Sequence, residues 1–302
     1  MKKIFLLILF CYSSTFVDAQ QDAQFSQNMF NKLASNPGFA GSNQAVSLIG
    51  LFRSQWTGFE GAPQTTNISG HLPVSALNGG LGLSIISDQI AQFENTSVSL
   101  SYAYRTQVGS GQLGLGLNFG IIQSGLDGSL LNSASGSDPA IPTESISGSA
   151  LDLGFGVYFN TQDAYFGIST SHINNPSIER SDNTSYELSQ HYFLITGLYH
   201  EISSTLSLNP SIYLKSDGTT SQLDINTNLI YNNKLWGGVS YRLDEGLVIL
   251  TGAEIMEDLK MGLAYDLVFS DINKNSVEVM LGYNFKIQVE NQLKKYKNPR
   301  FL

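Results

Sequence analysis

The sequence has one cysteine, Cys11, in 302 residues. A lone cysteine can form no internal disulfide, so stability must come from backbone pairing and packing. Basic residues are also few: sixteen Lys and Arg stand against twenty-five Asp and Glu, for a net charge of −9. An acidic chain without a basic stripe binds nucleic acid poorly, and no nucleic-acid partner is expected. Charged residues make up 14% of the chain, well below the roughly 25% of soluble domains. Long apolar runs are missing too. Beyond residue 20 none approaches the ~18 residues of a transmembrane helix, which excludes a helical membrane protein. In their place are 29 Gly, 17 Phe and 14 Tyr, with a hydrophobic content of 42%. Few charges, many glycines and many aromatics suit transmembrane β-strands, which are apolar at only every second position.

The N-terminus has the layout of an export signal. Met1-Lys2-Lys3 is basic, and residues 4–10 form an apolar run too short to span a bilayer. Val17-Asp18-Ala19 fits a cleavage site, so the mature chain is expected to begin at Gln20 and to lose Cys11. Phe10 is too bulky to precede a lipidated cysteine.

Further along, apolar residues alternate with small or polar ones. Leu113, Leu115, Leu117, Phe119 and Ile121 interleave with Gly114, Gly116, Asn118 and Gly120. Leu151, Leu153 and Phe155 stand against Asp152, Gly154 and Gly156, and Leu229 and Leu281 lie beside Asn228 and Asn284 in similar series. Period two marks strands with one apolar face. The other face is small and polar, as in a hydrated lumen, and aromatics such as Tyr104 and Phe285 end several series, as in interfacial girdles. The fold class expected is all-β, a transmembrane antiparallel outer-membrane β-barrel of about fourteen strands. The strands fall near 45–56, 65–73, 79–88, 96–106, 112–123, 150–160, 164–172, 190–201, 206–215, 222–231, 235–242, 246–254, 259–269 and 276–288. A soluble periplasmic sandwich is the competing architecture.

The chain divides into a signal peptide at 1–19, a periplasmic or lumenal segment at 20–44, the barrel at 45–288 and a periplasmic tail at 289–302. Long connectors at 125–149 and 174–189 alternate with short ones at 161–163, 202–205, 232–234 and 256–258. Outer-membrane barrels have short periplasmic turns and long outer loops, which places both termini in the periplasm. Residues 136–142 are too rich in Gly, Ser and Pro for a strand, and their connector is an outer lid, a plug or a surface loop.

No constellation points to catalysis, a metal or a cofactor. His71, His172, His191 and His200 show no HExxH motif, and the odd spacing of His191 and His200 puts them on opposite faces of a strand. The glycines of 111–120 alternate with leucines through a strand and precede no helix, unlike a phosphate loop. The chain is not expected to be an enzyme. A barrel hydrolase would need a Ser–His pair with an orienting group.

Several blocks carry a resemblance. Near the mature start come Asp22-Ala23-Gln24-Phe25-Ser26-Gln27-Asn28 and Asn36-Pro37-Gly38-Phe39-Ala40-Gly41. Arg53-Ser54-Gln55-Trp56 follows, with Gly61-Ala62-Pro63 just after it. Leu235-Trp236-Gly237-Gly238-Val239-Ser240-Tyr241-Arg242 and the closing Asn298-Pro299-Arg300-Phe301 complete the series. In this order and over nearly the whole mature chain, the blocks resemble the PorP/SprF family of type IX secretion system membrane proteins of Bacteroidota. The signature positions are Phe25, Asn36, Pro37, Gly41, Arg53, Trp56, Pro63, Trp236, Tyr241 and Arg242. They also have plain structural readings: a turn at Asn36-Pro37-Gly38, a lumen charge at Arg53 and an interface anchor at Trp56.

The resemblance implies an outer-membrane barrel of a Gram-negative bacterium that assists export or surface retention of a secreted surface protein, a cargo or an adhesin. It implies other type IX components as partners, among them a periplasmic scaffold, with a link to gliding motility and no cofactor. Lys294, Lys295, Lys297 and Arg300 in the tail suit an acidic scaffold or are simply solvated. The connector 125–149 matches the family blocks least well, so partner specificity is assigned there, with Leu126, Asp127, Leu130, Asp138 and Ile141 as candidate contacts. The alternative function is a channel for small or hydrophobic solutes.

Overall fold

The alternating segments become β-strands in the computed structural model, which describes residues 22–43, 45–131, 142–181, 184–269 and 274–286. The signal peptide, the basic tail and the candidate contacts Asp138 and Ile141 lie outside the described residues. The first strands are β1 (Ala45–Ser54), β2 (Gln64–Val74), β3 (Gly79–Ile90), β4 (Phe93–Val108), β5 (Gly111–Asp127), β6 (Ser145–Asn160) and β7 (Ala164–Ser171). A small hairpin, β8 (Ser177–Glu179) and β9 (Ser185–Glu187), follows. The wall resumes with β10 (His191–Leu198), β11 (His200–Ser203), β12 (Leu206–Ser216), β13 (Ser221–Tyr231) and β14 (Leu235–Arg242). It ends with β15 (Gly246–Met256), β16 (Leu259–Val268) and β17 (Ser276–Lys286).

β10 and β11 both pair with β12 and form one strand interrupted at Tyr199, so the wall has the fourteen strands expected from the sequence. Each wall strand pairs antiparallel with its sequence neighbour, and β1 pairs with β17 in the register Ala45↔Lys286 to Ser54↔Val277. The sheet therefore closes. In hydrocarbon no water can satisfy a free edge, and closure leaves none among the described wall strands.

The connectors sort by end. At the end where β1 begins, the joints 75–78, 109–110, 161–163, 204–205, 232–234 and 257–258 are all short. Asn232 and Asn233 take φ of 51° and 56° there, and Asp258 takes 63°, the left-handed geometry of tight hairpins. The opposite end carries short joints too, at 91–92, 217–220 and 243–245, but it alone has the long 55–63, 128–144 and 172–190, as the outer end of a bacterial barrel does.

Parity sets which face each side chain takes. Leu115, Leu153, Leu229 and Leu281 point outward and are exposed, while Asp152 and Asn228 point inward and are buried. Exposed aromatics gather near both ends of the wall: Phe52, Tyr192, Tyr241 and Tyr265 toward the loops, and Tyr104, Phe166, Tyr231 and Phe285 toward the turns. These are the girdles of a membrane barrel.

One long connector differs from its sequence expectation. The connector read as 125–149 is shorter, because β5 and β6 stay paired as far as Asp127↔Ser145. The outer part of this ladder is polar and lacks the alternating signal. Above the hydrocarbon a strand pair needs only its backbone bonds, so apolar alternation stops before the strand does.

The outward assignment is testable by reversible urea unfolding in lipid vesicles. Leu153→Arg should cost about 2–4 kcal/mol, and the inward Asn118→Arg well under that. Equal losses would refute the assignment.

Candidate functional site

A fourteen-strand barrel encloses more space than its inward side chains fill, since about eight strands already leave room only for side chains. Here the space is taken by residues 22–43. Ser26, Gln27, Asn36 and Ala40 are fully buried. Asp22 contacts residues at the loop ends of β7, β10 and β12, whereas Gly41 meets Gly80 beside the short 75–78 joint. The segment thus runs down the lumen from the loop end to the turn end before entering β1, which corrects the expectation of a periplasmic N-terminus: Asp22 lies at the outer loop end, and the lumenal reading of 20–44 holds for the described residues.

Three sets of contacts hold it. At the loop end, Asp22 is bound through every polar group it has. Its N–H donates to His191 Nε2 (3.2 Å), and its carbonyl accepts from Lys215 Nζ (2.7 Å). Its carboxylate contacts His172 Nε2 at 2.9 Å and accepts from Ser171 Oγ at 3.1 Å. Burial alone would push the Asp22 carboxyl up, but the His172 charge and hydrogen bond hold it well below the usual range. Burial likewise opposes a charged His172, yet the Asp22 and Asp152 carboxylates outweigh it and raise the ring to about 10.

The second set is an ion cluster inside the wall. Arg53 Nη2 donates to Asp266 (2.7 Å), and Arg242 Nη1 reaches the same oxygen (3.1 Å). Arg242 also grips Asp224 through Nε (3.0 Å) and Nη2 (3.2 Å). The segment plugs directly into this cluster. Ser26 Oγ donates to Asp266 (2.8 Å), and the backbone N–H groups of Ser26 and Gln27 donate to the Glu278 carboxylate at 2.7 and 2.9 Å. Asn28 Nδ2 reaches Asp224 at 3.2 Å.

The third set is nearer the turns. Asn36 is extended, as a residue before proline must be, and its side chain accepts from Gly38 N–H (2.8 Å) to cap a turn with Pro37 at its first position. Asn36 Nδ2 also donates to the wall carbonyls of Val157 (3.0 Å) and Ile168 (3.3 Å). Lys32 stacks its ammonium 4.3 Å from the Tyr165 ring and donates to the Met29 carbonyl at 2.7 Å. Gly114 and Gly116 face Gly38 and Pro37 so closely that a Cβ at either would strike the segment's backbone.

The loop end is also covered. Hairpin β8–β9 folds onto the inner face of β6, with Ile178 fully buried and Gly148 against the Glu179 carbonyl. Arg180 anchors it, donating to Ser124 Oγ at 2.9 Å and lying over the Phe93 and Tyr186 rings. Between hairpin, segment and wall is a cavity of about 150 Å³, lined in part by Asn95, Ser97, Asn118, Tyr186 and Phe193.

The signature residues scatter over this arrangement. Arg53 and Arg242 form the cluster, and Asn36, Pro37 and Gly41 shape the lower segment. Trp236 packs on Phe30 (5.3 Å between rings), beside partly buried Phe25. Tyr241 faces outward in the upper girdle. Trp56 sits in the 55–63 loop with φ of 48° and donates its N–H to Ser276, while Pro63 is buried and its carbonyl accepts from Gln55. Among the candidate contacts, Leu126 and Asp127 belong to β5, and Asp127 caps the turn Gly128–Leu130 by accepting from Ser129. These contacts lie at the rim, away from the signature residues of the lumen. Sequence reasoning missed Asp22, Lys215, Asp224, Asp266 and Glu278. For the last three an inward parity among outward apolar neighbours was the available signal.

The cluster makes a firm prediction. Removing one partner of a buried ionic network strands the other, at about 3–5 kcal/mol. Arg53→Ala should lose stability on that scale in urea-dependent folding and expose residues 22–43 to protease. A loss under about 1 kcal/mol with the segment still protected would show that the cluster does not hold it.

Comparison with known proteins bears on this architecture. Among solved structures, the CymD monoaromatic hydrocarbon channel is similar at 12% identity and a TM-score of 0.52, covering 87% of this chain and 93% of that one. The Pseudomonas putida toluene transporter TodX is similar at 12% identity and a TM-score of 0.50, covering 88% and 95%. At such identity these likenesses show the outer-membrane barrel fold alone. Among curated proteins no relative of this chain is found. Residues 17–283 match the family described as type IX secretion system membrane protein PorP/SprF. With signature blocks in order along a closed, internally plugged wall, this chain belongs to the PorP/SprF family of type IX secretion outer-membrane barrels.

Proposed function

We propose that this barrel assists export or surface retention of a secreted protein by docking it on the outer rim, and that it does not thread the partner through its lumen. The observation that carries this reading is the occupied lumen. Residues 22–43 run along it, held by buried contacts at three levels, with a cavity of about 150 Å³ beside them at the loop end. A helix is roughly 10–12 Å across and needs a continuous passage.

A standard protein interface needs about 800 Å² from each partner. The short joints at the periplasmic end offer little area. The outer rim offers 55–63, 128–144 and 172–190, and it carries exposed Phe59 with Leu126 and Asp127 of the raised β5–β6 ladder. The candidates Leu130, Asp138 and Ile141 belong to the same 128–144 connector. At the other face the tail 289–302, with its four basic residues, suits an acidic scaffold component of the machinery. This reading gives the chain a binding role and no catalysis. The runner-up, a channel for small or hydrophobic solutes, draws on the cavity beneath the hairpin.

Two measurements separate these readings. Replacing 129–143 with a tight turn from Asp127 to Ser145 should preserve heat-modifiable folding and release the surface proteins that co-purify with the wild-type barrel. Undiminished co-purification by the folded deletion would remove this rim from the interface. In planar bilayers the wild-type barrel should carry no steady current. Solute-dependent conductance would favour the channel.

A further inference from the structure

Asp22, His172 and His191 converge from three separate parts of the chain at the loop end of the lumen. We propose that they form a Zn²⁺ site that staples the N-terminal segment and the hairpin connector to the wall. His172 Nε2 lies 2.9 Å from Asp22 Oδ1, and one ligand atom from each of the three residues falls within 4.8 Å of the others. Tetrahedral zinc with bonds of about 2.0–2.2 Å puts neighbouring ligand atoms roughly 3.4 Å apart. Modest side-chain rotation brings the three to that spacing.

The outer nitrogens of both rings are already oriented as metal ligands require. His172 Nδ1 is 2.8 Å from Asp152 Oδ1, and His191 Nδ1 is 3.0 Å from the Ser189 carbonyl. A ligating histidine nearly always gives its second N–H to a carboxylate or a backbone carbonyl, which fixes the ring and its tautomer. Both kinds of partner are present, and both Nε2 atoms turn toward Asp22. The rings meet edge to face, 5.6 Å apart at 87°, so they approach from different directions.

His172 takes a φ of 56° in the turn that leaves β7, closed by Asn175 N–H on its carbonyl, and this turn sets the direction of its ring. The three residues also line the cavity of about 150 Å³, which has room for a water as fourth ligand. Two imidazoles and a carboxylate suit zinc and disfavour calcium or magnesium, which take mostly oxygen. Lys215 is the cation facing the site, bonded to the Asp22 carbonyl, and the Asp22 and Asp152 carboxylates oppose its charge. Zinc would displace the Asp22–His172 and Asp22–His191 hydrogen bonds, and the proton shared at His172 Nε2 would leave to solvent.

The placement gives the ion a task. His172 and His191 stand at the two ends of the connector that carries β8–β9, and Asp22 opens the buried segment. One ion would fix hairpin and segment together. The rival arrangement is a metal-free lock, with a protonated His172 between two carboxylates.

The test uses the full barrel, extracted from native outer membrane in mild detergent, stripped with EDTA and titrated with Zn²⁺ by calorimetry. One Zn²⁺ per chain is expected, with Co²⁺ giving a tetrahedral absorption spectrum. His191→Gln should remove binding. Asp152→Asn, which keeps all three ligands, should weaken it ten- to a hundredfold. Heat-modifiable migration reports that each variant is folded, and Asp152→Asn decides the matter if His191→Gln fails to fold. Absence of stoichiometric uptake by the folded wild type, or unchanged affinity in a folded variant, would overturn the proposal in favour of the metal-free lock.

Discussion

The bridge from Arg53 through Asp266 to Arg242 is the contact on which the interior depends. It joins β1, β16 and β14, each two strands from the next along one arc of the wall, and receives Ser26 of the central segment. Buried charges contribute little net stability, because desolvation offsets most of their attraction. Their value here is positional. An apolar filling would let the segment slide along the lumen, whereas Ser26 fits only where its hydroxyl meets Asp266 and its N–H meets Glu278. From that fixed point the chain reaches upward to Asp22 and downward to Asn36, each with its own polar contacts to the wall.

The fold was legible in the sequence because period-two alternation is a local signal, repeated along most of the wall and weakest in β1, β2 and β12. Even the inward face was readable by parity. Its contents were not. Gly114 and Gly116 suggested a hydrated lumen, whereas they recede to admit Gly38 and Pro37. Water and a packed polypeptide both favour small or polar wall residues, so composition does not distinguish them. Partner choice was equally hidden. Arg242 and Asp266 are 24 positions apart, and Asp22 and His172 are 150 apart. No spacing rule along one strand or helix reaches that far: the β14–β15–β16 meander brings the first pair together, and the path of residues 22–43 through the lumen the second.

The outer rim obeys a different rule from the wall below it. Within the hydrocarbon a strand needs an apolar outer face as well as its backbone bonds. Above it the bonds are enough, and β4, β5 and β6 continue as a polar ladder through Glu94↔Gly125 and Gly125↔Ser147. The raised ladder sets the 128–144 connector on a paired base. The 172–190 connector, by contrast, turns inward and covers the lumen. With the central segment, the hairpin of that connector occupies the lumen at its loop end.

The seam of the barrel lies within the same cluster. β1 and β17 close the wall, and Arg53 stands opposite Glu278 in that register. Both touch the segment: Arg53 Nη1 donates to Ser26 Oγ, and Glu278 accepts the N–H groups of Ser26 and Gln27. With the seam open, Glu278 and Arg53 would belong to distant ends of the chain and the cradle for Ser26 would be incomplete. With the segment absent, Glu278 would lose its two backbone donors and keep only the Arg53 guanidinium, 3.7 Å away. Closure and filling therefore favour each other. Because the segment is continuous with β1, the strand that closes the wall also brings in what fills it.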